Sequence, residues 1–251
     1  MISPEIIAAL TGTAVVSGFV DSIAGGGGLI SVPALLFAGV PPVQALGTNK
    51  LQSLFGTGIA LRNYWRSGLI DWRRHRLSVA ATFIGGSAGC IAVQLIQPDI
   101  LNYVVPGLLI ASALYVLLSP RMTDDDAHHR VSANGYSPIA GSIGFYDGFF
   151  GPGTGTFFAT TLVGLRGYGL TRATAVTKLL NFTSCVASVL FFTLGGKMLW
   201  LLGLCMAIGA MVGGWLGSHS ALRYGAQLIR PLLVVISLAL TARVLWGYFA
   251  Q

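Results

Sequence analysis

The sequence is poor in charged residues. Asp, Glu, Lys and Arg together account for 9% of the 251 residues, and only eight residues are acidic. A soluble domain carries about 25% charged residues, because its surface must contact water. Since 54% of the residues are hydrophobic and the mean hydropathy is +0.74, the composition excludes an ordinary soluble domain and indicates a protein whose main solvent is lipid.

Several functional motifs are also missing. The three cysteines, Cys90, Cys185 and Cys205, lie in apolar runs and have no metal-site or disulfide spacing. The glycine run at 25–28 lacks the Lys-Ser/Thr that a nucleotide-binding loop requires. We therefore predict no metal, no cofactor and no direct ATP coupling. The net charge of +7 does not indicate a nucleic-acid partner, because the basic residues lie between apolar runs.

Long apolar runs dominate the rest of the chain. A spanning helix needs about 20 apolar residues, and runs of this kind predict an all-α, polytopic membrane protein. The N-terminus lacks the basic region of a signal peptide, so we expect the first apolar stretch to belong to the mature fold. The predicted spanning helices are 45–66, 77–96, 100–118, 171–194, 198–222 and 227–249.

The sequence contains an internal repeat. Gly18-Phe19-Val20-Asp21 matches Gly144-Phe145-Tyr146-Asp147, and later matches follow in the same order with little drift in register. An ordered series of this kind predicts a duplication, with a first repeat at 1–118, a linker at 119–136 and a second repeat at 137–251. The later matches are Lys50 with Lys178, Trp72 with Trp200, Gly85-Gly86 with Gly213-Gly214, and Pro106 with Pro231.

The basic residues predict the topology. Arg66, Arg73, Arg74 and Arg76 mark one loop as cytoplasmic. If the stretches 6–40 and 139–165 are hairpins with both ends on one side, the other arginine-bearing loops are cytoplasmic too, and little more than Lys197 lies outside. Each repeat is then a hairpin plus three spanning helices, the second repeat is inverted relative to the first, and both termini are periplasmic. The charges leave open whether the hairpins are re-entrant or fully spanning.

Glycine-rich segments break both hairpins. Each glycine costs about 1 kcal/mol relative to alanine within a helix, and Pro152 removes a hydrogen-bond donor. A helix that starts after such a break has free N–H groups, which favour an anion. The alternative is that the glycines only permit close helix packing. The residues of the two breaks predicted to bind substrate are Gly25, Gly26, Gly27, Gly28, Gly151, Gly153, Thr154 and Thr156.

Ionisable residues occur near both breaks. Asp21 and Asp147 hold matching positions one turn before each break. A carboxylate within a membrane helix indicates a role in ion coupling. The alternative is a structural role, in which each aspartate accepts hydrogen bonds from the backbone or pairs with a lysine. Lys50 and Lys178 also match. Each could neutralise an anionic substrate, pair with an aspartate or extend to the membrane interface. Gln52 and Asn181, on the same polar stretches, complete the predicted site.

These motifs resemble a known family. The segment 18–33, with its Asp, glycine run and Ser-Val-Pro exit, resembles the first motif of the TauE/SafE sulfite-exporter family, also called the 4-toluene sulfonate uptake permeases. The segments 144–157, 173–181 and 195–197 are similar to its YfcA-like branch. The resemblance covers essentially the whole chain. It implies a bacterial inner-membrane permease for sulfite, sulfonates, sulfoacetate or related anions, and it specifies neither the substrate nor the direction.

We therefore predict a secondary transporter that moves a small sulfur-containing anion by alternating access, coupled to a proton or another ion. A passive anion channel is an alternative with the same sequence chemistry. An intramembrane aspartyl protease is disfavoured, because the sequence has no Gly-x-Gly-Asp motif. The sequence makes no prediction of the oligomeric state.

Overall fold

A computed structural model describes residues 3–118 and 131–225. Those residues form nine α-helices and no strand, which confirms the all-α prediction. The predicted helix at 227–249 and most of the linker lie outside the described residues. The helices are α1 (Pro4–Ala24), α2 (Gly28–Phe37), α3 (Pro42–Arg66), α4 (Trp72–Leu95), α5 (Pro98–Leu118), α6 (Ser137–Phe149), α7 (Thr154–Arg166), α8 (Leu170–Leu194) and α9 (Trp200–Tyr224).

Five helices of the described part are long and apolar enough to cross a membrane. The polytopic membrane fold is thereby confirmed. α3 has 25 residues but carries the polar run 48–53, most of which is buried inside the protein. The five candidate spans are Pro4–Ile23, Trp72–Leu95, Asp99–Val116, Leu170–Leu194 and Trp200–Tyr224.

The first hairpin is formed by α1 and α2. Gly25 ends α1 in the left-handed conformation, with φ of 75°, and its N–H donates to the carbonyl of Asp21. The chain then reverses, since Ser17 Oγ on α1 donates to the carbonyl of Gly27, 2.9 Å away, at the start of α2. α2 has 10 residues and is therefore about 15 Å long, half the thickness of a hydrocarbon core of about 30 Å.

The second hairpin is formed by α6 and α7. Each helix has 13 residues, a length of about 20 Å. The break between them ends at Gly153, which has φ of 84°. The hydroxyls of Tyr136 and Thr161 lie 2.7 Å apart, so the start of α6 lies beside the end of α7. Both ends of this hairpin therefore lie on the same side of the fold.

Close contacts between helix backbones place each hairpin against the other half of the chain. α1 packs along α9, and α6 packs along α4. A methyl group added to Gly85 would overlap the carbonyl of Gly141, and one added to Gly213 would overlap the carbonyl of Val15. These glycines therefore permit the close helix packing that small residues provide in membranes.

Contacts along the long helices show their relative directions. α3 and α9 are parallel, because Thr48 bonds Leu199 near the start of both, and Asn63 bonds Ser218 near the end of both. α4 and α8 are parallel, because the rings of His75 and Tyr168 pack together near the starts of both and Cys90 bonds the carbonyl of Ser188 near the ends of both. α3 and α8 are antiparallel, because the end of α3 packs on the start of α8 at Tyr64 and Leu170, and the start of α3 packs on the end of α8 at Gly47 and Phe192. α4 and α9, which hold matching positions in the internal sequence repeat, therefore run in opposite directions.

The charges are divided between the two faces of this bundle. One end, which we call the arginine-rich face, carries the end of α3, the starts of α4 and α8, and the ends of α7 and α9. Within the described residues the opposite face has Lys197 as its basic residue. The arginines of the arginine-rich face are Arg62, Arg66, Arg73, Arg74, Arg76, Arg166, Arg172 and Arg223.

Candidate functional site

The breaks of the two hairpins, which we call the first tip (25–27) and the second tip (150–153), meet inside the protein. A methyl group added to Gly25 would overlap the backbone of Gly155, and one added to Gly155 would overlap Gly25. Gly28 packs closely against Pro152, since a methyl group added to Gly28 would lie 3.1 Å from Pro152 Cα. The starts of α2 and α7, with their partial positive charges, therefore lie close to each other.

Side chains from α3 and α8 cap the end of α1. The last carbonyls of a helix have no partner within it, and inside a membrane protein they need one. Lys178 Nζ donates to the carbonyl of Asp21. Tyr64 Oη donates to the carbonyl of Ser22 over 3.0 Å. The broken end of α1 is thus stabilised by both halves of the chain.

Two buried lysine–aspartate pairs connect the halves. Lys50 Nζ lies 2.8 Å from Asp147 Oδ1, and both side chains are sealed, with 3% and 2% exposure. Lys178 Nζ lies 3.2 Å from Asp21 Oδ2, with 0% and 17% exposure. Both lysines therefore pair with an aspartate of the other half, and neither extends to a membrane interface.

The two carboxylates differ in their remaining hydrogen bonds. Asp21 Oδ2 also accepts a hydrogen bond from Thr57 Oγ1, 3.3 Å away. Asp147 Oδ2 is buried and has no hydrogen-bond partner among the described residues. A buried polar atom without a partner costs about 1–3 kcal/mol. Asp147 therefore has an oxygen available for a proton, a water or a ligand.

A polar network supports the first tip. Ser17 Oγ donates to the carbonyl of Gly27. The Ser31 hydroxyl, which has one proton, lies 3.2 Å from the same carbonyl and 2.5 Å from Asn49 Oδ1. Asn49 Oδ1 also accepts a hydrogen bond from Gln52 Nε2 at 2.9 Å. The sequence prediction missed Ser31 and Asn49. The polar run 48–53 on α3 was the available signal for Asn49.

An aromatic residue supports the second tip. Tyr146 Oη donates to the carbonyl of Pro152 over 2.8 Å, and Ser112 Oγ of α5 lies 2.5 Å from the same hydroxyl. The Tyr146 ring packs edge-on against Phe150 and Phe157. Sequence reasoning missed Tyr146 and Ser112, since the repeat places a valine, Val20, at the position that matches Tyr146.

A small polar cavity lies between the tips and the lysines. Its volume of about 20 Å³ is room for roughly one water molecule. The site is therefore closed to an anion of several heavy atoms. A larger, mostly apolar depression of about 700 Å³ lies apart from it, between the starts of α1 and α9. The small cavity is lined by Asp21, Gly25, Gly28, Asn49, Lys50, Ser53, Asp147, Gly151, Asn181 and Cys185.

Half of the predicted site residues line this cavity, and the others surround it. Lys178 bonds Asp21, and Gln52 bonds Asn49. Thr154 Oγ1 donates to the carbonyl of Gly151 over 2.6 Å and so closes the second tip. Their role in substrate binding stays a prediction. The remaining predicted residues away from the cavity surface are Gly26 and Gly27 in the first tip, and Gly153 and Thr156 at the start of α7.

These features define a class of protein: a polytopic membrane protein with a charged, closed site between two broken helical hairpins. The sequence matches the family model described as "Sulfite exporter TauE/SafE" over residues 10–244. The chain belongs to this family and is a membrane transporter of the TauE/SafE type, and the family is not one of enzymes.

Several bacterial relatives cover almost the whole chain. It is 42% identical over 252 residues to the probable membrane transporter protein YfcA of Escherichia coli (strain K12), covering 100% of this chain and 94% of that one. It is 45% identical over 242 residues to the probable membrane transporter protein ORF9 of Sinorhizobium sp, covering 96% and 93%. A probable membrane transporter protein of Haemophilus influenzae is 39% identical over 248 residues, covering 98% and 97%. No solved structure matches the chain.

Proposed function

We propose that this protein is a secondary transporter that carries small sulfur-containing anions, such as sulfite, sulfonates or sulfoacetate, across the bacterial inner membrane. The observation that carries the proposal is the pair of buried lysines that meet aspartates of the opposite half at the two broken tips. The family description, which names sulfite export, supports the substrate class.

The chemistry of the site favours an anion. Lys50 and Lys178 each supply up to three N–H donors, and the starts of α2 and α7 add partial positive charge. Oxygen atoms of sulfite or a sulfonate accept charge-assisted hydrogen bonds from such donors. Asn181, on the cavity wall, adds an amide that can donate to the same oxygens. Without substrate, the aspartates neutralise both lysines.

This arrangement supports coupling to a proton or another ion. An anion that binds a lysine displaces the aspartate from it. A buried carboxylate without a partner is strongly destabilising, so the displaced Asp21 or Asp147 must bind a proton or a cation. The substrate and the coupling ion would then occupy the site together. Asp147, whose second oxygen lacks a partner among the described residues, is the better placed of the two to accept a proton.

The closed cavity supports alternating access. Room for about one water molecule means that the tips must separate before a larger anion enters. The opposite directions of α4 and α9 support two inverted repeats that rock against each other. By the positive-inside rule, the arginine-rich face would be cytoplasmic, and the start of α1 periplasmic.

Reconstitution into proteoliposomes tests the proposal. We expect saturable uptake of labelled sulfite or a sulfonate, accelerated by unlabelled substrate inside. Lys178→Ala should weaken the apparent affinity about tenfold or more, the loss of roughly one charge-assisted hydrogen bond. Lys197→Ala, which removes an exposed lysine that does not line the cavity, is the matched control and should leave affinity unchanged.

Two outcomes would contradict the proposal. Flux that rises linearly with concentration, without acceleration by internal substrate, indicates a channel. Absence of flux for sulfite, thiosulfate and several sulfonates removes the proposed substrate class. A separate Asp147→Asn variant leaves Lys50 without its charge partner, so its folded state is checked first by size-exclusion chromatography. The folded variant should keep exchange of substrate for substrate but lose accumulation driven by a proton gradient.

A further inference from the structure

Two buried aromatic residues hold matching positions on the two central helices. Tyr64 on α3 and Phe192 on α8 each follow the buried lysine of their own helix by 14 residues. That spacing is about four helical turns, so each ring lies on the same helix face as its lysine. Both side chains are fully buried.

The two rings lie on opposite sides of the cavity, because α3 and α8 are antiparallel. Tyr64 packs toward the arginine-rich face, in a cluster with Ile23, Ile70 and Leu170. Phe192 packs toward the opposite face, in a cluster with Leu46, Phe150 and Met198. Both clusters contain hairpin residues: Ile23 lies in the Tyr64 cluster, and Val32 and Phe150 lie in the Phe192 cluster.

The two clusters are held differently. The Tyr64 hydroxyl donates a hydrogen bond to the carbonyl of Ser22, at the end of α1 and next to Asp21. Phe192 has no hydroxyl, and its ring packs on the bare backbone at Gly47, where an added methyl group would lie 3.1 Å from the ring. The Tyr64 ring therefore has a directional hydrogen bond that the Phe192 ring lacks.

We propose that Tyr64 and Phe192 are the gating residues on the two sides of the transport site, and that the Tyr64 hydroxyl makes the arginine-rich side harder to open. This inference rests on the proposed alternating access. Opening toward the arginine-rich face moves the end of α1, breaks the bond to Ser22 and exposes the cavity. Opening toward the other face separates the Phe192 ring from its apolar neighbours and breaks no side-chain hydrogen bond of that residue.

Cys185 is a natural reporter of both openings. Its thiol is buried and its side chain lines the cavity. We would measure its labelling by a membrane-impermeant maleimide, added from one side of oriented vesicles, in a Cys90→Ser, Cys205→Ser background. A Ser67→Cys variant, exposed at the end of α3, identifies which vesicles present the arginine-rich face.

Tyr64→Phe keeps the ring and removes only the hydroxyl. We expect it to raise the labelling rate of Cys185 from the arginine-rich face by about two- to tenfold, the ratio that one neutral hydrogen bond accounts for, with no rise from the opposite face. Phe192→Leu should raise the rate from the opposite face alone. Labelling needs no substrate, so the gate is tested even if none of the assayed anions is transported.

The controls separate gating from general loosening. Tyr224→Phe removes the hydroxyl of a half-exposed tyrosine on the arginine-rich face and should change neither rate. Cys185→Ala should abolish the signal. An equal rise from both faces in Tyr64→Phe, or no rise, overturns the proposal. If Tyr64→Phe does not fold, the test rests on Phe192→Leu. The proposal is overturned if Phe192→Leu raises the labelling rate of Cys185 from the arginine-rich face, or if it changes neither rate.

Discussion

The two lysine–aspartate pairs hold matching positions in the two halves, but they differ in their access to solvent. Lys50 and Asp147 are both sealed, whereas Asp21, the partner of Lys178, is partly open. Asp21 also has a hydrogen bond from Thr57, while one oxygen of Asp147 has none among the described residues. The matching residues thus form one fully buried ion pair and one ion pair that is partly accessible to solvent.

The tips beside these pairs differ in a parallel way. The first tip is held by the hydroxyls of Ser17 and Ser31, which both lie within hydrogen-bond distance of the carbonyl of Gly27. The second tip is held by the Tyr146 hydroxyl and aromatic packing, and α5 contributes Ser112 to it. The two segments that match in sequence therefore share their charged residues but differ in the side chains that support their backbone. Four substitutions test the difference between the two ion pairs and the tips beside them.

Lys50→Ala should have the largest effect. It leaves the Asp147 carboxylate buried without a charge partner, which costs about 3–5 kcal/mol. We expect a large fall in the thermal midpoint in detergent, or loss of the folded peak in size-exclusion chromatography. Lys50→Ala with Asp147→Asn should recover much of the loss, because no buried charge remains. If the thermal midpoint of Lys50→Ala equals that of the wild type, the Lys50–Asp147 pair does not stabilise the fold.

Gly25→Ala should come next. A left-handed backbone costs a residue with a Cβ about 1–2 kcal/mol, and the new methyl group also overlaps Gly155, for which overpacking adds about 1–3 kcal/mol. Gly155→Ala introduces the steric overlap without the cost of a left-handed backbone, so it should lower the stability less than Gly25→Ala does. Thermal unfolding of both variants measures the difference. Gly164→Ala, which faces open space in α7, is the control and should be neutral or slightly stabilising.

Lys178→Ala should destabilise the protein less than Lys50→Ala does. Asp21 is partly open to water and keeps its bond from Thr57, so we expect about 1–3 kcal/mol for the lost charge-assisted bonds. The same thermal assay, run beside Lys50→Ala, compares the two pairs directly. If Lys178→Ala proves the more damaging, solvent access does not distinguish them.

Thr57→Val should have the smallest effect. It removes a 3.3 Å hydrogen bond to Asp21 and keeps the shape of the side chain, for a cost of about 0.5–1.5 kcal/mol. Because this bond helps hold Asp21 near Lys178, we expect the apparent affinity for substrate to change more than the thermal midpoint. Thr11→Val, on the outer part of α1, is the control, since the Thr11 hydroxyl donates to the carbonyl of Ile7 within its own helix.

Much of the fold could be predicted from the sequence. The low charge and the long apolar runs indicated membrane helices, and the glycine runs indicated the breaks. The structure begins the new helices at Gly28 and Thr154, within the predicted breaks. The matching motifs also identified Asp21, Asp147, Lys50 and Lys178, which the structure brings together in two pairs.

Other features of the site could not be predicted, because they depend on distant contacts. The repeat does not say whether Lys50 pairs with the aspartate of its own half or of the other. The roles of Tyr64, Tyr146 and Asn49 arise from hydrogen bonds to neighbouring segments, and no periodicity records such a bond.

The sequence by itself determined that lipid surrounds the protein, that the fold is all-α, and that two hairpins are broken by glycines. It also identified the residues that carry charge inside the membrane. These properties follow from local composition, since burial of apolar groups and the loss of backbone partners at a glycine break act within a few residues. Only the tertiary structure decided which lysine meets which aspartate, how far each pair is sealed, and how small the cavity between the tips is. Those properties depend on the packing of helices more than a hundred residues apart, such as α1 against α9.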